Sequence, residues 1–329
     1  MKHSNISIFV PHIGCPNMCA FCNQRHITGQ SQIPRAADVV ESVNIAKNSS
    51  KYSASNAEIA FFGGSFTAIN REYMLELLSA AHNEIKQGNA SGIRISTRPD
   101  AIDEEVLHIL KKFGVTSIEL GAQSMVDEVL KANDRGHTAQ DVAKASFLIK
   151  DFGFELGLQM MTGLYMSTPQ TDLYTADQII RLKPKTVRIY PTITIKGTRL
   201  EELYLLGEYV PQTLDDAVTL CATLKEKFMS NGVKVIRLGL HSIEEGSYVA
   251  GPWHPAFSEL CDSMRFRNKI KEKLSVAGKY EVLVNPRDIS KIKGQACANI
   301  QYFDSLGFNL KIISDENIKL DSFIIKEVK

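Results

Sequence analysis

Three cysteines near the start of the chain have the spacing of a metal or cluster site. Cys15, Cys19 and Cys22 form a C-x3-C-x2-C pattern directly after an apolar run that predicts a strand. The residues from Gly14 to Asn17 favour a turn, so the three sulfurs can converge on one centre. A zinc ion or a 4Fe–4S cluster normally takes four protein ligands, and no fourth Cys or His follows nearby at matching spacing. Three thiolates on a four-iron cluster would leave one iron open to another ligand.

Two other interpretations of these cysteines stay open at this point. They could hold a structural zinc ion together with a distant fourth ligand, or they could be unrelated buried thiols. Phe21, between the second and third cysteines, fits either a core aromatic or a ring that shields one face of a cluster. The remaining cysteines are scattered, and we interpret them as free core thiols of a protein from a reducing compartment. They are Cys221, Cys261 and Cys297.

Short polar or glycine-containing segments follow most of the other apolar runs. Paired glycines let a backbone approach a ligand closely. Amide and guanidinium groups can bind ribose hydroxyls and a carboxylate. Taken singly, each segment is also compatible with a plain turn, a surface ion pair or core packing. The candidate ligand-binding residues are Gly63, Gly64, Ser65, Thr67, Ser96, Thr97, Arg98, Gln123, Arg135, Gln159 and Met160.

The elements that must position these residues alternate between strand and helix. Apolar runs predict strands over residues 6–10, 58–62, 93–96, 117–120, 154–161 and 186–190. Helical periodicity predicts helices over 35–47, 73–86, 103–113, 126–131, 139–151 and 172–182. About six alternations indicate parallel strands joined by right-handed crossovers in an open barrel. Chemistry gathers at the C-terminal ends of such strands, where the candidate residues lie.

The pattern changes after residue 192. We predict a helix over 215–229, a strand over 233–238, a loop over 245–255 and an amphipathic helix between Phe257 and Leu274. Strands are predicted over 280–284, 310–313 and 323–325, with one helix near 290–306. The predicted fold class is therefore α/β, a partial (β/α)6 TIM-like barrel over residues 1–240 followed by a small α+β extension over 241–329.

Composition sets limits on partners and location. The 329 residues carry a formal net charge of +1, so no global field favours nucleic acid or an anionic membrane. We find neither a signal peptide nor an apolar run long enough to span a bilayer, and we expect a cytoplasmic protein without a membrane partner. A local basic run could bind phosphate or could be a solvated helix face. It contains Arg265, Arg267, Lys269, Lys271 and Lys273.

Together, these motifs resemble those of the radical S-adenosylmethionine superfamily. The cysteine triad with Phe21, followed one β–α unit later by Gly63-Gly64, carries the resemblance. It implies that Cys15, Cys19 and Cys22 hold a 4Fe–4S cluster whose open iron binds S-adenosylmethionine. One electron from a reductant of the flavodoxin or ferredoxin type would cleave that cofactor to a 5′-deoxyadenosyl radical, which takes a hydrogen atom from the substrate.

Finer motifs are similar to the catalytic subunit of Elongator and its bacterial relatives. They are STRPD at 96–100, GAQSM at 121–125, RGHT at 135–138, MMTGL at 160–164 and RIYPTITIKGTRL at 188–200. Those enzymes act on the wobble uridine of tRNA, so the resemblance implies RNA or a nucleotide-like molecule as substrate.

The same resemblance implies how S-adenosylmethionine is bound. The turn at Gly63-Gly64-Ser65 would receive its amino group, Gln123 would face its ribose and Arg135 its carboxylate. Gln159 and Met160 would line the far side of the adenosyl group.

The chain departs from the Elongator pattern in three respects. The interval between its first two cysteines is shorter, Ser96 stands where Glu commonly precedes TRPD, and the residues after 240 are too few for the acetyltransferase domain. The alternatives are a radical enzyme for a small molecule, such as a tetrapyrrole or another metabolite, and a non-enzymatic metal-binding module. On the substrate side, the candidate catalytic residues are Tyr190, Lys196, His241 and His254.

Overall fold

A curved sheet of seven parallel strands forms the larger part of the computed structural model, which describes residues 3–10, 19–23, 33–240 and 243–328. Its strands are β1 (Ser4–Val10), β2 (Ala57–Gly63), β3 (Gly92–Thr97), β4 (Val115–Gln123), β5 (Glu155–Thr162), β6 (Thr186–Pro191) and β8 (Lys234–Leu238). They lie side by side in that order. Among the described residues, β1 pairs only with β2 and β8 only with β6, so the two edges of this sheet do not meet. The predicted partial barrel is confirmed, and the strand predicted over 233–238 becomes its seventh member.

Helices connect the strands and cover the outer face of the sheet. They are α1 (Ala36–Lys47), α2 (Arg71–Lys86), α3 (Glu104–Lys112), α4 (Asp127–Ala132), α5 (Ala139–Asp151), α6 (Pro169–Arg181), α7 (Arg199–Leu205) and α8 (Leu214–Ser230). The helix α3 shows how local chemistry sets the boundaries. The Asp103 carboxylate accepts a hydrogen bond from the Val106 amide at 2.8 Å and so begins the helix, and Gly114, with φ of +79°, follows its end.

The two faces of the sheet differ in polarity because side chains alternate along each strand. In β3, Ile93 and Ile95 are fully buried in the main hydrophobic core on the outer, helix-covered face. Burial of each such side chain contributes about 1.5–3 kcal/mol relative to exposure. Arg94 and Ser96, on the inner face, line an open concave surface that encloses a volume of about 1180 Å³. The concave face therefore carries the polar groups.

A network of charges spans the concave face. The Arg94 guanidinium contacts Glu58 at 2.8 Å, Glu119 at 3.1 Å and Glu155 at 3.2 Å. Arg188 contacts Glu119 through Nε at 2.5 Å and through Nη2 at 3.1 Å. Burial alone would raise the pKa of Glu58, but the Thr116 hydroxyl and the charge of Arg94 hold that pKa below its ordinary value. These contacts tie five neighbouring strands together beneath the strand ends.

The C-terminal part has a small sheet and a core of its own. It contains α9 (Phe257–Lys271), β10 (Gly278–Val284), α10 (Ile289–Lys293), α11 (Ala298–Ser305), β11 (Phe308–Ser314) and β12 (Phe323–Glu327). The central strand β10 pairs in parallel with β11 and antiparallel with β12. Phe257 and Cys261 on α9 belong to the main core, whereas Phe266 and Ile270 on the same helix belong to the smaller one.

Three details differ from the sequence-based predictions. The single helix predicted near 290–306 is wrong, because Ala296 and Cys297 adopt left-handed backbone angles and separate α10 from α11. Cys297 is exposed, so its assignment as a core thiol is also wrong, whereas Cys221 and Cys261 are buried. The predicted loop over 245–255 contains β9 (Tyr248–Ala250), which pairs with β7 (Thr194–Ile195).

Two of the five residues of the basic run, Arg265 and Lys269, form ion pairs within the protein. The buried Arg265 guanidinium binds Glu226 and Asp321, each at 2.8 Å, and Asp262 at 3.0 Å. Lys269 also contacts Glu226 at 2.8 Å. Arg265 is therefore part of neither a solvated helix face nor a free phosphate-binding surface. Within the described residues, no helix is both long and apolar enough to cross a membrane.

Candidate active site

A cavity of about 280 Å³ lies where the strands end, between the inner face of the sheet and the segment 19–23. Strands β2 to β6 contribute residues at or near their C-terminal ends, and the loop between α4 and α5 contributes the Arg135 side chain. The structure brings thirteen of the predicted site residues to this cavity. They are Cys19, Phe21, Cys22, Gly63, Gly64, Ser65, Ser96, Thr97, Arg98, Gln123, Arg135, Gln159 and Tyr190.

The cysteine segment is held by a tight turn and an apolar backing. The Cys22 amide donates to the Cys19 carbonyl at 2.9 Å, which brings both thiols to the same cavity. Phe21 lines the cavity and is buried in a cluster with Leu164, Leu200 and Tyr209. Cys15 lies outside the described residues. Within the described ranges, no group of three or more His, Cys, Asp or Glu side chains is arranged to bind a metal ion.

The Arg135 guanidinium links the cysteine segment to the sheet. Its Nη1 lies 3.0 Å from the Cys19 sulfur, and its Nη2 donates to the Gly121 carbonyl at 2.8 Å. Its Nε is buried and has no hydrogen-bond partner among the described residues. A buried donor without a partner is costly, and a guanidinium edge is well suited to a carboxylate. Arg135 is therefore placed to bind an anionic ligand beside Cys19.

Gly63 has a backbone that other residues cannot easily adopt. Its φ is +113°, and a Cβ atom there would lie 2.3 Å from the Val10 carbonyl oxygen. The next amide, of Gly64, donates to that same oxygen at 2.9 Å. The end of β2 is thus drawn against the end of β1, directly before the cysteine segment. A side chain at position 63 would push these strand ends apart.

A β-bulge turns Gln123 into the cavity. The β4–β5 register shifts between Gly121 and Gln123, and Gln123 has a left-handed φ of +64°. Such a conformation costs on the order of 1–3 kcal/mol for a residue other than glycine and is concentrated at functional sites. The Gln159 amide donates to the Gln123 side-chain oxygen at 3.4 Å, so two amides meet on this wall.

Two predicted ligand-binding residues have other positions. Met160 is fully buried in the main core, and its neighbour Met161 lines the cavity instead. Alternation along β5 explains this, because Gln159 and Met160 cannot face the same side of one strand. The Thr67 hydroxyl binds the Thr97 hydroxyl and the Ala101 carbonyl, both at 2.6 Å, and so supports the cavity wall from behind.

The proposed substrate-side residues are not brought together. Tyr190 lines the cavity, whereas Lys196 is exposed and does not line it. The His254 Nδ1 accepts a hydrogen bond from the Ala256 amide at 3.0 Å and so belongs to the turn before α9. His241 lies outside the described residues.

The cavity also contains residues that sequence reasoning missed. Glu119 is the main one, a buried carboxylate on the wall, held by Arg94 and Arg188. Its position as the charged residue of β4 was the available signal. The others are mainly apolar: Phe9, Gly121, Met161, Pro191, Ile193, Ile195 and Leu240.

A buried carboxyl group holds the loop that follows β5. The Asp172 carboxylate accepts a hydrogen bond from the Gly163 amide at 3.0 Å, and the Tyr209 hydroxyl donates to the Gly163 carbonyl at 2.7 Å. Burial raises the pKa of Asp172 to about 7, because the charged form is poorly solvated. Since Tyr209 also packs with Phe21, this loop supports the cysteine segment from outside.

Comparisons with known proteins agree with this geometry. Residues 9–179 match the Radical SAM superfamily, and residues 184–275 match the Radical_SAM C-terminal domain. Two enzymes called tRNA uridine(34) acetyltransferase are similar in sequence. The one from Dehalococcoides mccartyi is 26% identical over 67% of this chain and 55% of that protein, and the one from Methanocaldococcus jannaschii is 30% identical over 55% and 37%. The chain thus spans about half, or less, of the length of these relatives.

A solved structure supports the fold. The Elp3 protein of the archaeon Methanocaldococcus infernus, with an N-terminal deletion, superposes with a TM-score of 0.67 over 85% of this chain and 66% of that one. At 22% identity this likeness concerns the fold alone. The family match covers more than half of the chain, and it coincides with the open parallel barrel and its strand-end cavity. The chain therefore belongs to the radical SAM superfamily of enzymes and has Elongator-type proteins among its relatives.

Proposed function

We propose that Cys15, Cys19 and Cys22 bind a 4Fe–4S cluster, that the adjoining cavity binds S-adenosylmethionine, and that the enzyme modifies RNA. The observation that carries this proposal is the opening of Cys19 and Cys22 into one cavity with the Arg135 guanidinium and the strand-end glycines. When bound and reduced by one electron, the cluster and S-adenosylmethionine supply a 5′-deoxyadenosyl radical. A reductant of the flavodoxin or ferredoxin type would deliver that electron.

The residues around the cavity fit such a cofactor. The partnerless Nε of Arg135 is a donor for its carboxylate, and Gly63 and Gly64 line the same cavity, where they would face its amino group. The amides of Gln123 and Gln159 are available to ribose hydroxyls. Phe21, a buried aromatic residue of the cysteine segment, helps to exclude water from a reactive intermediate. The residues of this chain would bind and orient S-adenosylmethionine and protect the radical from water.

The proposed substrate is tRNA, because relatives of this chain are tRNA uridine(34) enzymes. The chain aligns with about half or less of each, so we extend the RNA class to it and not the acetyl transfer. The concave surface that adjoins the cavity also carries Lys185, Lys234 and Arg237, whose positive charges suit a polyanionic substrate.

Anaerobic reconstitution tests the enzymatic part of the proposal. The purified chain is incubated with iron and sulfide, then reduced with dithionite in the presence of S-adenosylmethionine. We expect the visible absorption of a 4Fe–4S cluster and the formation of 5′-deoxyadenosine. Absence of both would leave the cysteines with a structural role and contradict the proposal.

A binding experiment tests the substrate class. Affinity for bulk tRNA should fall steeply as salt increases, since binding to phosphates releases counterions. A salt-independent or undetectable affinity would contradict an RNA substrate and favour a small molecule, such as a tetrapyrrole.

A further inference from the structure

Two arginines face each other across neighbouring strands of the concave face. Arg188 on β6 and Arg237 on β8 are direct partners in the strand register. Arg188 binds the Glu119 carboxylate with two nitrogens, at 2.5 and 3.1 Å. Arg237 donates its Nε to the Gly239 carbonyl at 3.0 Å and makes no ion pair with any described residue. Like charges at facing positions destabilise a sheet, so this pair needs an explanation.

The carboxylates of the concave face are already engaged. Counting the described residues alone, five arginines and lysines line this surface, against three carboxylates, Glu58, Glu119 and Glu155. Arg94 contacts all three of them, and Arg188 shares the middle one. Lys185, Lys234 and Arg237 have no ion pair within the part of the chain that the structure describes. The positions outside that part include no Asp or Glu, so no further acidic side chain can neutralise them.

A bulge places two of these cations on the same face. Thr186 pairs with Lys234, and Arg188 pairs with Arg237. An advance of two positions along β6 therefore matches an advance of three positions along β8. The extra residue returns Arg237 to the face that Lys234 occupies. Lys185 lies next to them, since the Lys234 amide donates to its carbonyl at 3.2 Å. Because β8 is one of the two edge strands of the sheet, the three cations lie at an open side of the barrel.

This cationic edge is continuous with the catalytic cavity. Tyr190 and Leu240 line both the cavity and the concave surface. Burial lowers the pKa of Arg237, Tyr190 opposes that change, and the neighbouring charge of Arg188 adds to it. Arg237 remains protonated nonetheless, because an arginine side chain does not deprotonate in proteins. The half-buried Arg237 guanidinium, which has no ion-pair partner among the described residues, therefore lies on a surface that adjoins the cavity.

We propose that Arg237, Lys185 and Lys234 form a phosphate-binding subsite for the substrate. A phosphate offers several acceptor oxygens and a dense negative charge, and a guanidinium with nearby ammonium groups matches both. A phosphate held at this edge leaves the adjoining part of the same molecule free to enter the cavity past Tyr190. The identification of the phosphate with RNA rests on the proposed function, whereas the anion subsite itself does not.

The test compares charge and shape at position 237. Fluorescence anisotropy measures the binding of a labelled oligouridylate to the wild-type chain, to Arg237→Gln and to Arg237→Lys at several salt concentrations. Arg181→Gln, which removes an exposed charge at the end of α6, is the matched control. We expect Arg237→Gln to bind the oligouridylate about tenfold more weakly than the wild type does. The slope of log affinity against log salt concentration should be less steep for this variant, by about 0.7 for each phosphate contact that is lost. Arg237→Lys should retain part of the affinity.

Thermal unfolding gives a second readout that separates binding from folding. Removing the like-charge pair should leave the unfolding temperature of Arg237→Gln unchanged or raised, and pyrophosphate should raise it for the wild type but not for this variant. Equal oligouridylate affinity and salt dependence for wild type, Arg237→Gln and Arg181→Gln would overturn the subsite. Stabilisation by pyrophosphate without any oligouridylate binding would support the subsite and overturn the RNA proposal. Failure of the wild type to respond to either probe would overturn both.

Discussion

Replacement of Asp172 by asparagine should change how the stability of the protein depends on pH. The Asp172 carboxyl group is buried, accepts a hydrogen bond from the Gly163 amide and has a pKa raised from 3.8 to about 7. The folded protein therefore holds a proton that the unfolded chain loses at lower pH, so this group stabilises the fold most at low pH. Its contribution is lost as pH rises towards the folded-state pKa. An asparagine keeps the acceptor and the shape but cannot ionise.

The size of the effect follows from the two pKa values. One pKa unit corresponds to about 1.36 kcal/mol, so the wild type loses about 3 kcal/mol at this group between about pH 5 and pH 8. Urea unfolding of wild type and Asp172→Asn across this range isolates the group, because all other titrating residues are common to both. We expect the difference in unfolding free energy to shift in favour of the variant as pH rises. A difference that is constant with pH would refute the reasoning.

Two further predictions concern the cavity wall. Gly63→Ala should abolish or strongly weaken S-adenosylmethionine binding, measured by equilibrium dialysis, because its Cβ would lie 2.3 Å from the Val10 oxygen. Gly153→Ala, also at positive φ but with open space around it, is the matched control, and equal binding by both variants would contradict the close-approach argument. Arg135→Lys should weaken S-adenosylmethionine binding about tenfold, since an ammonium cannot reach the Cys19 sulfur, the Gly121 carbonyl and a ligand carboxylate together. Unchanged affinity would remove Arg135 from the binding site.

The alternation of strands and helices was readable from sequence because each element carries its own local signals. Apolar runs marked every strand of the main sheet, and a capping Asp103 with Gly114 marked the helix α3 within a residue at each end. Side-chain direction within a strand was readable in principle. The assignment of Met160 to the cavity overlooked that Gln159 and Met161, two positions apart, share a face.

What the sequence could not predict depends on contacts between distant segments. Glu119 meets Arg94 and Arg188, which lie 25 and 69 residues away in the chain. The bulges that turn Gln123 and Arg237 onto the concave side arise from strand register and have no local motif. The break between α10 and α11 occurs at Ala296, a residue type that seldom adopts left-handed angles.

The most direct test of the central claim is the yield of 5′-deoxyadenosine from three reconstituted proteins under one set of anaerobic conditions. They are the wild type, Cys19→Ala and Cys297→Ala. Cys19 lines the cavity, whereas Cys297 is exposed and lies in the C-terminal part. We predict that wild type and Cys297→Ala form 5′-deoxyadenosine at the same rate and that Cys19→Ala forms none. Undiminished formation by Cys19→Ala, or none by the wild type, would contradict the assignment of this cavity as the radical-generating site.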